Sequence, residues 1–221
     1  MKAHFSAQYK KYLLFFALII PISVVVTVIF YGIAPTVVKA SLPAVTTIIQ
    51  RSYPETELVD IKYKNSGGRR VIEFTMKITK WFEGVDIPFI DNLTNSILIS
   101  MQFVTAIIFY TLLFSWPFIS MRKRLLAAVI FIPFVMLFIL LDISFSAITF
   151  IELTCKKNTP GYVLNETILC KAIIFIGYFF NNGGRQFLGV LMFLLPVVPF
   201  HRSSAEKGRQ LRRSQHHLPV R

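Results

Sequence analysis

Tyr12–Ile33 runs for 22 residues without a charge. As a helix rising about 1.5 Å per residue it reaches ~33 Å, enough to cross the hydrocarbon core of a bilayer. The apolar region of a cleaved signal peptide is about 7–15 residues long and ends at a small-residue site. Here the run is longer, no Ala-x-Ala sequence follows, and Val38-Lys39-Ala40 is a poor substitute. The expectation is an uncleaved anchor with its N-terminus in the cytoplasm, kinked where Pro21 removes one helical hydrogen bond. The rest of the chain has the same character. Charged residues make up 16% of it, against about 25% in an ordinary soluble domain, and the apolar residues come in runs separated by charged blocks.

Four spans can be read. The N-terminus 1–11 is followed by a first span 12–33 and an outside domain 34–95. A second span 97–119 ends in Trp116-Pro117, an interfacial aromatic and a helix breaker, and leads through a tight basic turn 120–124 into a third span 125–151. An outside loop 152–171 precedes a fourth span 172–200, and a basic tail 201–221 ends the sequence. The N-terminus, the turn Arg122-Lys123-Arg124 and the tail hold 12 of the 24 Lys and Arg, against the single acid Glu206. Basic blocks beside apolar spans follow from the positive-inside rule. The net charge of +13 therefore points to a lipid bilayer, with no nucleic-acid partner, and to cytoplasmic N- and C-termini. The fold class expected is an α-helical membrane protein with four transmembrane helices and a small extracytoplasmic α+β domain.

That domain shows two periods. Val38, Leu42, Val45 and Ile49 recur at helical spacing, with Ser41 and Pro43 suggesting a restart partway along. Val59, Ile61 and Tyr63 then alternate with charged residues, and after Asn65-Ser66-Gly67-Gly68 the alternation resumes at Ile72, Phe74, Met76 and Ile78. Two such runs around a Gly-containing turn make a β-hairpin. A lone hairpin is marginal in water. It needs the amphipathic helix, the membrane surface or a partner chain against its apolar face, or else closes into a self-contained cap.

The polar residues inside the apolar runs are the candidate site. Phe179 to Phe187 contains Asn181, Asn182, Gly183, Gly184, Arg185 and Gln186, and the third span contains Asp142. A charge at mid-membrane costs at least ~2.5 kcal/mol on insertion scales. Asp142 lies 17 residues above Leu125, and Arg185 lies 15 residues above Phe200, so both sit ~22–26 Å from the inner boundary. Matching depth on adjoining helices predicts that they pair; separate snorkelling to the outer headgroups is the alternative. The glycines either break the fourth helix against protein or a wet cavity or allow close helix packing.

Cys155 and Cys170 share the second outside loop, where oxidation is permitted. A disulfide closing that loop is the natural reading, contributing on the order of 3 kcal/mol; a nucleophilic thiolate is the alternative. His4, His201, His216 and His217 all fall on the cytoplasmic side, which leaves no outside Cys–His pair and no outside metal cluster. Asn92-Leu93-Thr94 and Asn165-Glu166-Thr167 would be glycosylation acceptors in a eukaryotic secretory pathway. No phosphate-binding loop, paired catalytic acids or internal repeat is visible, so neither cofactor nor catalytic residue is assigned.

One family shares this layout. Ile33-Ala34-Pro35 leaves the first span and Asp91-Asn92-Leu93 enters the second. Arg122-Lys123-Arg124 forms the turn, and a Gly-Tyr element and Gly183-Gly184-Arg185 lie near the fourth span. In the order of its elements and in these short motifs the chain resembles the exosortase-H-associated membrane proteins of bacteria. The resemblance implies an inner-membrane accessory to a sorting transpeptidase that handles C-terminal membrane anchors, and hence a place in envelope or exopolysaccharide biogenesis. Exosortases themselves combine a Cys nucleophile with Arg partners in a larger core. Cys170 with Arg185 matches part of that, but a second Arg at the outer face is missing from the spans and four spans are too few, so no catalytic role is carried over. The expected function is a non-enzymatic accessory or scaffold subunit of an envelope-assembly complex. Two other readings stand beside it: a small transporter or lipid-handling protein with a polar site at Asn181–Arg185, and a membrane thiol transpeptidase using Cys170.

Overall fold

Three prolines fail to end the first helix. In the computed structural model, which describes residues 2–52, 56–66, 69–78, 93–158 and 168–197, α1 runs unbroken over Lys2–Ser52 with Pro21, Pro35 and Pro43 inside it. At 51 residues it is ~75 Å long. The restart expected near Ser41 and Pro43 does not occur; the first span and the amphipathic helix are one rod. Each proline deprives the carbonyl four residues earlier of its donor, at roughly 3 kcal/mol in a helix interior. At Pro35 the loss is made good from outside the helix, because the Arg70 guanidinium donates to the Tyr31 carbonyl. Near Pro43, the hydroxyls of Ser41, Thr46 and Thr47 donate to the carbonyls of Val38, Leu42 and Pro43 at 2.8, 2.9 and 3.0 Å.

The sheet has three antiparallel strands in the order β1-β2-β3, over Thr56–Ser66, Arg69–Ile78 and Leu93–Leu98. Ser66 pairs with Arg69, and Tyr63 with Ile72, so two residues connect the hairpin. A bulge interrupts β1 between Leu58 and Asp60. β3 takes the first residues of the expected second span: Ile97 and Leu98 pair with Ile72 and Val71. The strand is six residues long and abuts an apolar run, which hides its alternation. Exposed Thr94 and Ser96 nevertheless alternate with half-buried Asn95 and Ile97. Ile72, Phe74 and Met76 are buried with Val38, Val45 and Ile49 of α1 in one core. The cover that a hairpin needs is thus supplied by the second half of α1.

The remaining elements are α2 (Ile99–Gln102), α3 (Val104–Ser115), α4 (Met121–Asn158), α5 (Ile168–Phe179), a π turn (Phe180–Gly184) and α6 over 185–197. Among the described residues two helices are long and apolar enough to cross a membrane, through Tyr9–Ser52 and Met121–Thr154. The other two expected spans are shorter pieces. β3 takes the first residues of 97–119, and 172–200 is divided at the π turn. α4 extends the expected third span at both ends. It absorbs the basic turn, whose Arg124 donates to the carbonyls of Phe114 and Ile119, and it buries Glu152, which the sequence placed in a loop. The side chains of Cys155 and Cys170, the acceptor residues Asn92 and Asn165, and the tail 201–221 lie outside the described residues.

Two glycines set the helix spacing. A Cβ on Gly177 of α5 would lie 2.0 Å from Thr149 Oγ1 of α4, and one on Gly189 of α6 would lie 2.8 Å from Ile108 Cβ of α3. Far from the sheet, Tyr12, Phe15, Trp116, Phe118 and Phe193 join α1, the α3–α4 turn and α6. Tyr12–Phe118 is 5.2 Å, Phe15–Trp116 5.3 Å and Trp116–Phe193 5.3 Å between ring centroids.

Candidate functional site: a buried ion pair at a helix break

The break is made by Asn182 and Gly183. Their dihedrals leave the helical region, at φ −106°, ψ 34° and φ 100°, ψ −3°. Only glycine adopts the second without strain. Gly184 serves differently: a Cβ there would lie 2.4 Å from Phe179 Cδ1. Opening the helix frees backbone acceptors that, when buried, need another donor. The Asn182 amide donates to the Tyr178 carbonyl at 2.8 Å, and Arg185 Nη1 donates to the Phe180 carbonyl at 3.3 Å. The polar residues of 181–185 therefore first repair the break that Gly183 creates.

The same break turns Arg185 inward, onto Asp142. Nε donates to Oδ2 at 2.7 Å and Nη2 to Oδ1 at 2.8 Å, a two-pronged fork. The residues are 6% and 4% exposed, so solvent screening contributes little. Asn181 Oδ1 accepts from Nη1 at 3.3 Å. Ser146, one turn above Asp142, donates to its Oδ1 and accepts from Nη2, both at 3.4 Å. Gln102 closes the shell with its amide oriented to satisfy both charges: the nitrogen donates to Asp142 Oδ2 at 2.7 Å and the oxygen accepts from Nη2 at 3.2 Å. Thr105 donates to the Arg185 carbonyl at 3.0 Å. α2, α3, α4 and the α5–α6 break are tied at one level.

The structure thus joins Asp142, Asn181 and Arg185. Asn182, Gly183 and Gly184 shape the break, and Gln186 is exposed outside the network. Gln102, Thr105 and Ser146 were missed. A signal existed for two of them, since Gln102 is an amide inside an apolar run and Ser146 stands four residues after Asp142.

Each of the five guanidinium N–H groups has an acceptor within reach, and the Asp142 oxygens accept from Arg185, Gln102 and Ser146. Among the described residues, charges matched this fully hold elements together. Beside the pair lies a cavity of about 320 Å³, bordered by Ser96, Gln102, Ser146, Thr149, Asn181 and Arg185 itself. The buried Thr149 hydroxyl on its wall has no hydrogen-bond partner among the described residues. Among those residues no group of three or more His, Cys, Asp or Glu is placed to hold a metal. Comparison of the chain with protein-family models, curated proteins and solved structures finds no match.

Proposed function

We propose that the chain is a multi-pass protein of a bacterial inner membrane, with both termini cytoplasmic, that serves as a non-enzymatic accessory or scaffold subunit of an envelope-assembly complex. The observation that carries this reading is the mutual saturation of Asp142 and Arg185. A catalytic pair keeps one group available, whereas here every polar atom is used to fix helices. Four crossings follow if α2–α3 counts as one short span and α5–α6 as one broken span. The Tyr12, Trp116 and Phe118 cluster then lies at the inner interface, where such rings belong, and the sheet stands outside. The resemblance to exosortase-associated proteins suggests a sorting transpeptidase as the partner, with the sheet rigidly mounted on α1 as the presented element.

The test is purification of the full chain from its native membranes in mild detergent. Stoichiometric association with another integral membrane protein is expected, and repeated isolation as a lone monomer counts against the reading. A lipid-handling role is the second reading, favoured by the polar cavity beside Thr149. It requires a bound polar lipid displaced when Thr149→Val closes the hydroxyl site.

A further inference from the structure

We propose that Arg69 and Arg70 hold the anionic head of a membrane phospholipid whose acyl chain enters a cavity between α1 and α3. The cavity encloses about 260 Å³. Phe30 of α1 and Ile99, Phe103 and Ile107 of α2–α3 make its apolar walls, and Arg69 and Arg70 lie on its rim. Two arginines bordering an apolar slot match an amphiphile with a negative head, and a free phosphate ion would have no use for the slot.

Three observations place the pair where a headgroup would be. Tyr31 stands 19 residues beyond Tyr12, ~29 Å along the helix, which is the thickness of a hydrocarbon core. Arg70 is fixed at that level, because it donates to the Tyr31 carbonyl and lies 3.7 Å from the centroid of the Tyr31 ring. Its cross-strand partner is Asn65, and that of Arg69 is Ser66, so neither arginine is paired with an acid in the β1–β2 register among the described residues. The nearest carboxylate on β2, Glu73, accepts from Lys64 at 2.8 and 3.0 Å. Arg69 is exposed and makes no ion pair among the described residues. A double positive charge at an outer membrane boundary attracts lipid phosphate, and the last N–H groups of the fork supply hydrogen bonds to it. The inference rests on α1 crossing the membrane, and is independent of the accessory role.

The test uses the full chain in a neutral maltoside detergent, with bound lipid counted by native mass spectrometry. Phosphatidylglycerol is expected to remain on the protein, phosphatidylcholine to be retained about tenfold less, and inorganic phosphate not at all. Arg69→Gln should weaken phosphatidylglycerol retention about tenfold without changing the melting temperature, because the exposed Arg69 side chain makes no ion pair among the described residues. Thr27→Trp, an exposed position on the cavity wall, should weaken it by blocking the chain while both arginines stay. Equal retention of the two lipids overturns the proposal. So does loss with Arg69→Gln but not with Thr27→Trp, since that outcome leaves surface attraction without a seated chain.

Discussion

Arg185 reaches Asp142 from just past a break in its helix at Asn182 and Gly183. The fork between them, 2.7 and 2.8 Å long, lies at the junction of four helical elements. Removing one partner leaves the other charge buried and unpaired, which costs about 3–5 kcal/mol. Asp142→Asn and Arg185→Gln are each expected to lower abundance and denaturation temperature sharply. The double replacement Asp142→Leu with Arg185→Met should be much milder than the sum of the singles, since apolar pairs often replace buried ion pairs without loss. Thermal denaturation in detergent checks this, and additive losses would falsify the view that the pair is structural.

The glycines divide into three kinds, and alanine scanning should separate them. Gly177→Ala forces a methyl against Thr149 Oγ1, 2.0 Å away, and should cost about 1–3 kcal/mol through overpacking. Thr149→Ala in the same chain should recover most of that. Gly183→Ala meets only an ordinary contact, Gln186 Oε1 at 3.8 Å, yet keeps φ at +100°; its expected cost of about 1–2 kcal/mol is backbone strain. Gly32 has nothing within 4 Å and a helical backbone, so Gly32→Ala should stabilise by up to about 1 kcal/mol. The order of the three melting temperatures is the measurement.

The ion pair could be read from sequence because charges are rarely buried unless paired. Asp142 and Arg185 stand out in apolar runs, and their places along those runs can be counted in residues. The shell around them could not be counted. Gln102 and Ser146 are uncharged, and their place beside the pair depends on how α2 and α4 rotate. The continuity of α1 was hidden for a related reason. Local rules end a helix near Pro35, and the group that repairs the damage, Arg70, comes from a strand 35 positions later. The third strand escaped because six residues beside an apolar run carry too little alternation to compete with the span next to them.

Cys155 falls in α4 and Cys170 in the first turn of α5. A bridge between them would close a 16-residue segment at the end of the bundle nearer the ion pair, and would stabilise the fold by on the order of 3 kcal/mol. Mass spectrometry of the alkylated, unreduced protein is expected to show both thiols blocked and a disulfide-linked peptide. Alkylated cysteines with no disulfide-linked peptide would instead favour the thiol-enzyme reading.

A proline at 35 leaves the Tyr31 carbonyl without its helical donor, and Arg70 replaces it while its guanidinium lies against the Tyr31 ring. Arg70→Gln should therefore destabilise the chain by about 1–3 kcal/mol, through loss of a charged hydrogen bond and of the cation–ring contact. Pro35→Ala restores an N–H that can bond the same carbonyl within the helix. In that background Arg70→Gln should cost at least about 1 kcal/mol less, because the carbonyl no longer depends on it. Tyr31→Leu keeps the carbonyl and removes the ring, so it separates the two contributions. If Arg70→Gln costs the same with Pro35 and with alanine there, the arginine does not complete the helix, and the continuity of α1 past Pro35 must come from its packing on the sheet.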